Sequence, residues 1–114
     1  MNRLLYVRVG KDPQVVDLPK ITLKSLQQMV GGPIETVPVN PYWGSISRNA
    51  IYIVNEEGKV LGLPVNTAIM NGRDVICGDF VVAATDGEDI VGLDDLQVAY
   101  LQDIFGRSPD RRLP

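Results

Sequence analysis

The sequence predicts an α+β domain over residues 1–106: a mostly antiparallel, curved sheet with two helices packed on it. Three observations lead there. Short runs rich in apolar and β-branched residues, such as Ala50-Ile51-Tyr52-Ile53-Val54 and Phe80-Val81-Val82-Ala83-Ala84, are bounded by Gly, Asn and Asp, as strands joined by tight turns are. Two other segments, 22–30 and 94–105, carry apolar residues at three- and four-residue spacing, the helical period. The resulting order is strand, strand, helix, three strands, a helical turn, two strands, helix. It suits an antiparallel sheet with helices on one side.

Leu5, Val7 and Val9 alternate with Leu4, Tyr6 and Arg8, which reads as a half-buried first strand. Gly10-Lys11-Asp12-Pro13 is turn chemistry, and residues 14–18 return as the second arm of a hairpin. Thr22 is placed to cap a helix over 22–30, with Ile21 stapled to Leu26. Leu23, Leu26, Met29 and Val30 form its apolar stripe. Gly31-Gly32 ends that helix through a left-handed cap, and Pro33 prevents resumption. Residues 34–37 read as a strand leaving the cap.

Residues 38–49 read as a loop, because Pro38 and Pro41 each remove a backbone donor. A strand over 50–54 leads into Asn55-Glu56-Glu57-Gly58-Lys59, a hairpin turn with Gly58 in the left-handed position. Residues 60–63 are the expected return strand, stopped by Pro64. Asn66 is placed to cap a short helical turn through Ala68, Ile69 and Met70. Residues 75–77 and 80–84 are the last two strands, followed by a polar turn over 85–89. Asp94 with Gln97 has the capping-box spacing of a second helix, whose stripe is Leu96, Tyr100 and Ile104, with Leu101 and Phe105 beside it. Residues 107–114 are polar and proline-bounded, so a flexible C-terminal tail is expected.

Two counts restrict the chemistry. The 114 residues include no histidine and one cysteine, Cys77. Zinc sites of Cys₂His₂ or Cys₄ type, Ser-His-Asp and Cys-His catalysis, and an intrachain disulfide framework are excluded. No cofactor is expected. The net charge of −3 is unevenly spread. Residues 74–106 contain no base and the acids Asp74, Asp79, Asp86, Glu88, Asp89, Asp94, Asp95 and Asp103. Such a run is either a solvated face or a surface for a basic partner, and it argues against direct nucleic-acid binding. No run of 18 apolar residues marks a membrane span, and Arg8 interrupts any leader-like start. A cytoplasmic protein is therefore expected. The chain can bury one modest core, and a homo-oligomer would bury more.

Six residues are candidates for a ligand- or partner-binding site. Tyr42 and Trp43, with Arg48 nearby, fit base stacking or a partner pocket. Lys59 on its turn faces either solvent or a partner. Gly62 within an expected strand marks a bulge or a close backbone approach. Asn66 either caps or binds. No catalytic or metal-ligating set is readable: Gly31-Gly32 follows a helix, whereas phosphate-cradling loops precede one, and Asp86-Gly87-Glu88-Asp89 lacks the ligand pattern of a calcium loop.

Three stretches carry a family resemblance: Val30-Gly31-Gly32-Pro33-Ile34-Glu35-Thr36-Val37, then Tyr52-Ile53-Val54-Asn55-Glu56-Glu57-Gly58-Lys59-Val60-Leu61-Gly62-Leu63-Pro64-Val65-Asn66, then Asp74-Val75-Ile76-Cys77-Gly78-Asp79-Phe80-Val81-Val82. Together they resemble the family called domain of unknown function 3846, over about residues 4–105. This chain carries Pro33 where that family often has an aromatic residue, and its Pro41-Tyr42-Trp43 loop is longer than usual. The family occurs in bacteriophages, other mobile elements and their bacterial hosts. The resemblance implies an accessory, counter-defence role and supplies no catalytic residues. The leading expectation is a non-catalytic binding protein that sequesters a small nucleotide-derived signal. Trp43 would stack on the base, and Arg48 or Lys59 would meet phosphate. The alternatives are an inhibitor that binds a host defence or nucleic-acid-binding protein through an acidic face, and a small enzyme relying on carboxylates.

Overall fold

The structure, a computed structural model, describes residues 2–39 and 48–106. Its elements are β1 (Asn2–Val7), β2 (Gln14–Leu18), α1 (Leu23–Val30), β3 (Ile34–Pro38), β4 (Ala50–Asn55), β5 (Val65–Ile69), a 3₁₀ turn (Met70–Gly72), β6 (Asp74–Cys77), β7 (Phe80–Asp86), β8 (Asp89–Val91) and α2 (Asp95–Gly106). The main sheet is antiparallel and open, in the order β2-β1-β7-β4-β3, with β8 pairing β7. β5 and β6 form a separate two-stranded sheet. The α+β class with a mostly antiparallel sheet is as the sequence predicts.

The helices, however, lie on opposite faces. Alternate residues of the central strands divide between two cores. Leu4, Ile51, Ile53, Val81 and Ala83 pack with Leu26 and Val30 of α1. Leu5, Val7, Tyr52, Phe80, Val82 and Ala84 pack with Val98, Leu101 and Phe105 of α2, joined by Ile69 and Ile76 of the small sheet. Successive strand side chains point to opposite faces. A strand covered on both sides therefore reads as a continuous apolar run. This is why Phe80 to Ala84 are all buried, and why Leu4 and Leu5 are both fully enclosed where a half-buried strand is expected. On the α2 side Tyr52, Phe80 and Phe105 meet edge-to-face, with ring centroids 5.7–6.3 Å apart.

Both helix starts follow their capping signals. Thr22 Oγ1 accepts from the Ser25 amide (3.1 Å) and Ser25 Oγ accepts from the Thr22 amide (3.2 Å). Asp94 and Gln97 exchange the same pair of bonds at 2.8 and 3.0 Å. The apolar faces follow expectation in part: Leu26, Val30, Leu101 and Phe105 are buried. Leu23 and Leu96 are exposed, and α2 buries Val98, Leu101 and Phe105. Spacings of three and four residues track one helix face, whereas Leu96, Tyr100 and Ile104 at a constant four drift around it.

The expected strand over 60–63 is absent. Leu61 N–H donates to Glu57 O, Gly62 N–H to Lys59 O and Leu63 N–H to Gly58 O (2.8–3.1 Å). The segment thus satisfies its own backbone and pairs with no ladder. The strand comes later, at β5, and the helical turn follows it at Met70–Gly72. β8 extends the expected polar turn over 85–89 into a short hairpin with β7.

Candidate functional site

The sequence candidates divide across the molecule. Tyr42 and Trp43 lie outside the described residues. Arg48 is exposed just before β4, whereas Lys59 follows the other end of that strand. At about 3.3 Å per residue, the six residues of β4 separate its ends by roughly 17 Å. Arg48 and Lys59 therefore do not converge on one group. Lys59 and Gly62 instead belong to a single connection, the chain between β4 and β5, and Asn66 lies just beyond it in β5.

That connection is anchored by two buried asparagines. Asn55, at the end of β4, donates its side-chain amide to Val30 O (3.2 Å) and accepts from the Glu57 amide through Oδ1 (2.8 Å). Asn66 in β5 donates to Val7 O (2.9 Å) and Gly78 O (3.0 Å), and its Oδ1 accepts from Thr67 Oγ1 (2.9 Å). Asn66 is not a helix cap. It is a buried tie between β1, the β6–β7 turn and the small sheet.

The two glycines exchange the reasons expected of them. Gly62 has φ 68° with open space where a side chain would stand, so it is glycine for its left-handed backbone. Gly58 does not have positive φ. A Cβ there would lie 2.7 Å from the Cys77 carbonyl oxygen, so it is glycine because β6 passes so close.

Two clefts flank the connection. The first, about 130 Å³, lies between the β3–β4 face and β6 and is lined by Glu35, Glu56, Lys59, Asp74 and Cys77 among others. Lys59 and Asp74 form an ion pair there. The hydrogen bond to Asp74 raises the Lys59 amine above its ordinary value. The Lys59 bond and the Val75 amide lower the Asp74 carboxyl. The second cleft, about 350 Å³, is lined by Val9, Val30, Leu61, Leu63, Pro64 and Asp79 among others. Asp79 Oδ1 accepts from the Val9 amide (2.9 Å). Sequence reasoning missed both clefts. Their walls come from four or five separate elements, and only the Gly62-Leu63-Pro64 segment hinted at one of them.

The acidic stretch over 74–106 is dispersed. Asp74 pairs with Lys59, Asp94 caps α2, and Asp95 pairs with Arg3. Asp79 and Asp86 sit at opposite ends of β7. Among the described residues no group of three or more His, Cys, Asp or Glu side chains is arranged to hold a metal ion. No described helix is long and apolar enough to cross a membrane.

These features define a small α+β domain whose distinctive surface is a self-bonded, partly apolar connection between two clefts. The family model described as "Domain of unknown function (DUF3846)" matches residues 1–106, and the chain belongs to that family. No curated protein and no solved structure matches it.

Proposed function

We propose that this protein is a non-catalytic binding module that engages a protein partner through the rim at residues 60–65, in the counter-defence setting that the family resemblance implies. One observation carries the reading. Val60 and Leu61 are 88% and 60% exposed on a connection that is hydrogen-bonded to itself, and Val65, at the start of β5 just beyond it, is 61% exposed. Burying one such side chain is worth about 1.5–3 kcal/mol, and the fold leaves all three in water. Clustered exposed apolar side chains on a preformed scaffold are the usual mark of a protein interaction surface.

The described clefts favour a protein over a nucleotide. The first carries Glu35, Glu56 and Asp74 against one paired lysine; the second has Asp79 and no lysine or arginine. Either would repel phosphate. A carboxylate enzyme gains no support from the first cleft, because Asp74 is already engaged by Lys59 and by the Val75 amide. The nucleotide reading therefore rests on Tyr42, Trp43 and Arg48.

Photo-crosslinking in cells that naturally carry the gene tests the proposal. A photoreactive residue at position 60 is expected to give a discrete heteromeric product that is absent with the probe at position 17. Equal labelling from both positions would sink it. Calorimetry with cyclic and ADP-ribose-type nucleotides is expected to show no saturable heat. Saturable binding lost in Trp43→Ala would install the nucleotide reading instead.

A further inference from the structure

The larger cleft has a chemistry of its own, and the inference from it rests on the protein-binding reading above. Its walls are the end of α1 (Val30, Gly31), Val9 beyond β1, the 61–64 segment, and the β6–β7 turn (Gly78, Asp79). Five apolar side chains, those of Val9, Val30, Leu61, Leu63 and Pro64, face it. Leu61 is the exposed residue shared with the rim. The polar groups are few and mostly committed. Both polar atoms of the Asn55 side chain are used, on Val30 O and the Glu57 amide. Asp79 spends one oxygen on the Val9 amide, and its carboxylate makes no ion pair with any described residue.

The electrostatics have one sign. No lysine or arginine lines the groove. Arg8, next to Val9 in the chain, stacks on the Tyr6 ring instead, with its guanidinium carbon 5.7 Å from the centroid. The last turn of α1 contains no basic residue, so the negative end of its dipole adds to Asp79. At about 350 Å³ the space lies at the low end of the roughly 300–1,000 Å³ typical of small-molecule pockets. It suits one or two side chains rather than a dinucleotide.

We propose that this groove receives a short segment of a partner protein in which a large apolar residue is followed by lysine or arginine. The apolar side chain fills the space between Val30, Leu61 and Leu63. The cation pairs with the Asp79 carboxylate. Charge complementarity argues for this occupant over an acidic segment, and over a second copy, whose own apolar rim brings no cation beside it other than the already paired Lys59.

The test is amide-resolved NMR titration of the full chain. The probe is an eight-residue glycine–serine peptide with leucine–arginine at its centre. Saturable shifts are expected at the Gly31, Leu63, Gly78 and Asp79 amides, weakening with added salt. The peptide with glutamate in place of arginine is expected to give none. Asp79→Asn keeps an oxygen for the Val9 amide and is expected to weaken binding about five- to tenfold while leaving the other amide signals in place. Leu61→Ala, at an exposed position, weakens it similarly. Equal shifts with the glutamate peptide, no shifts at all, or no loss in Asp79→Asn would overturn the proposal. So would shifts at these amides that depend on protein concentration alone, which would identify a second copy as the occupant. Crosslinking at position 60 that persists after any of these failures leaves the binding-module reading standing. Loss of both removes it as well.

Discussion

Asn55, the last residue of β4, donates its side-chain amide to the carbonyl of Val30, the last residue of α1, across 3.2 Å. This bond joins the end of the helix on one face to the start of the 56–64 connection, and so fixes two walls of the larger groove. It also explains Gly32, where a Cβ would lie 2.9 Å from Asn55 Nδ2. Asn55 cannot give way easily, because its oxygen holds the Glu57 amide. Asn55→Ala would strand the buried Val30 carbonyl and the part-buried Glu57 amide, a cost of about 1–3 kcal/mol. Gly32→Ala is expected to destabilise in the same direction. The alanine at 32 should cost much less in an Asn55→Ala background, since the clash is then gone. Urea unfolding of the four proteins in this cycle reads the coupling.

Asn66 makes a sharper prediction. Its two donated bonds hold Val7 and Gly78 at distances of 2.9 and 3.0 Å within the interior. Asn66→Ala removes both donors. Asn66→Asp removes them and sets a carboxylate beside two carbonyl oxygens, an uncompensated buried charge worth about 3–5 kcal/mol. The aspartate variant should therefore be the less stable at pH 7. Its deficit should shrink as pH falls through the introduced carboxyl's folded-state pKa, which burial raises above the ordinary aspartate value, and should be fully relieved by about pH 4. Thermal melts at pH 7 and pH 3.5 check both statements. An aspartate variant as stable as the alanine one at pH 7 would contradict this account.

Local signals in the sequence carried most of the fold. Both capping boxes, the cap at Gly31 and six of the eight strands follow from residues within a turn of one another. What was not legible depends on distant parts. The sheet is covered on both faces because α1 and α2 cross on opposite sides, and no window around Leu4 and Leu5 contains that fact. The strand expected over 60–63 was misplaced because local bonds to Glu57, Gly58 and Lys59 outcompete a ladder. Gly58 and Asn66 owe their identities to Cys77, Val7 and Gly78, each at least 12 positions away in the chain. The clefts were hidden for the same reason, and exposure of Val60 and Leu61 appears only once the expected strand is known to be absent.

Met70 is the one described non-glycine residue with positive φ, at 53°. It is also largely exposed, so its side chain gains little from burial there. Holding an L-residue in this region costs about 1–2 kcal/mol, and glycine returns roughly 0.5–1 of that through its unfolded-state entropy. Met70→Gly is expected to raise stability slightly, by up to about 1 kcal/mol. Met70→Val should lower it, because a β-branched side chain tolerates the conformation worst. Chemical denaturation of both variants decides; a valine variant at least as stable as the wild type would contradict the backbone argument.

The Lys59–Asp74 pair fixes the pH behaviour of the smaller cleft. Asp74 is held below its ordinary value, first by the hydrogen bond from Lys59 and then by the Val75 amide. A depressed carboxyl stabilises the fold above its unfolded pKa and loses that contribution as pH falls through its folded value. Lys59 is raised, chiefly by the same hydrogen bond. Its contribution is complete below its unfolded pKa and is lost as pH climbs through the folded one. The pair therefore helps across the broad middle range and fades at both ends, below about pH 4 and above about pH 10. Both side chains are substantially in solvent, so the gain is no more than about 1 kcal/mol. Lys59→Met should lower stability by that modest amount at pH 7, with the difference from wild type vanishing near pH 3 and in 1 M salt. Asp74→Asn should cost a similar amount, since an amide oxygen can still accept from Val75. A difference that persists undiminished at pH 3 would show that Lys59 acts through its alkyl packing and not through its charge.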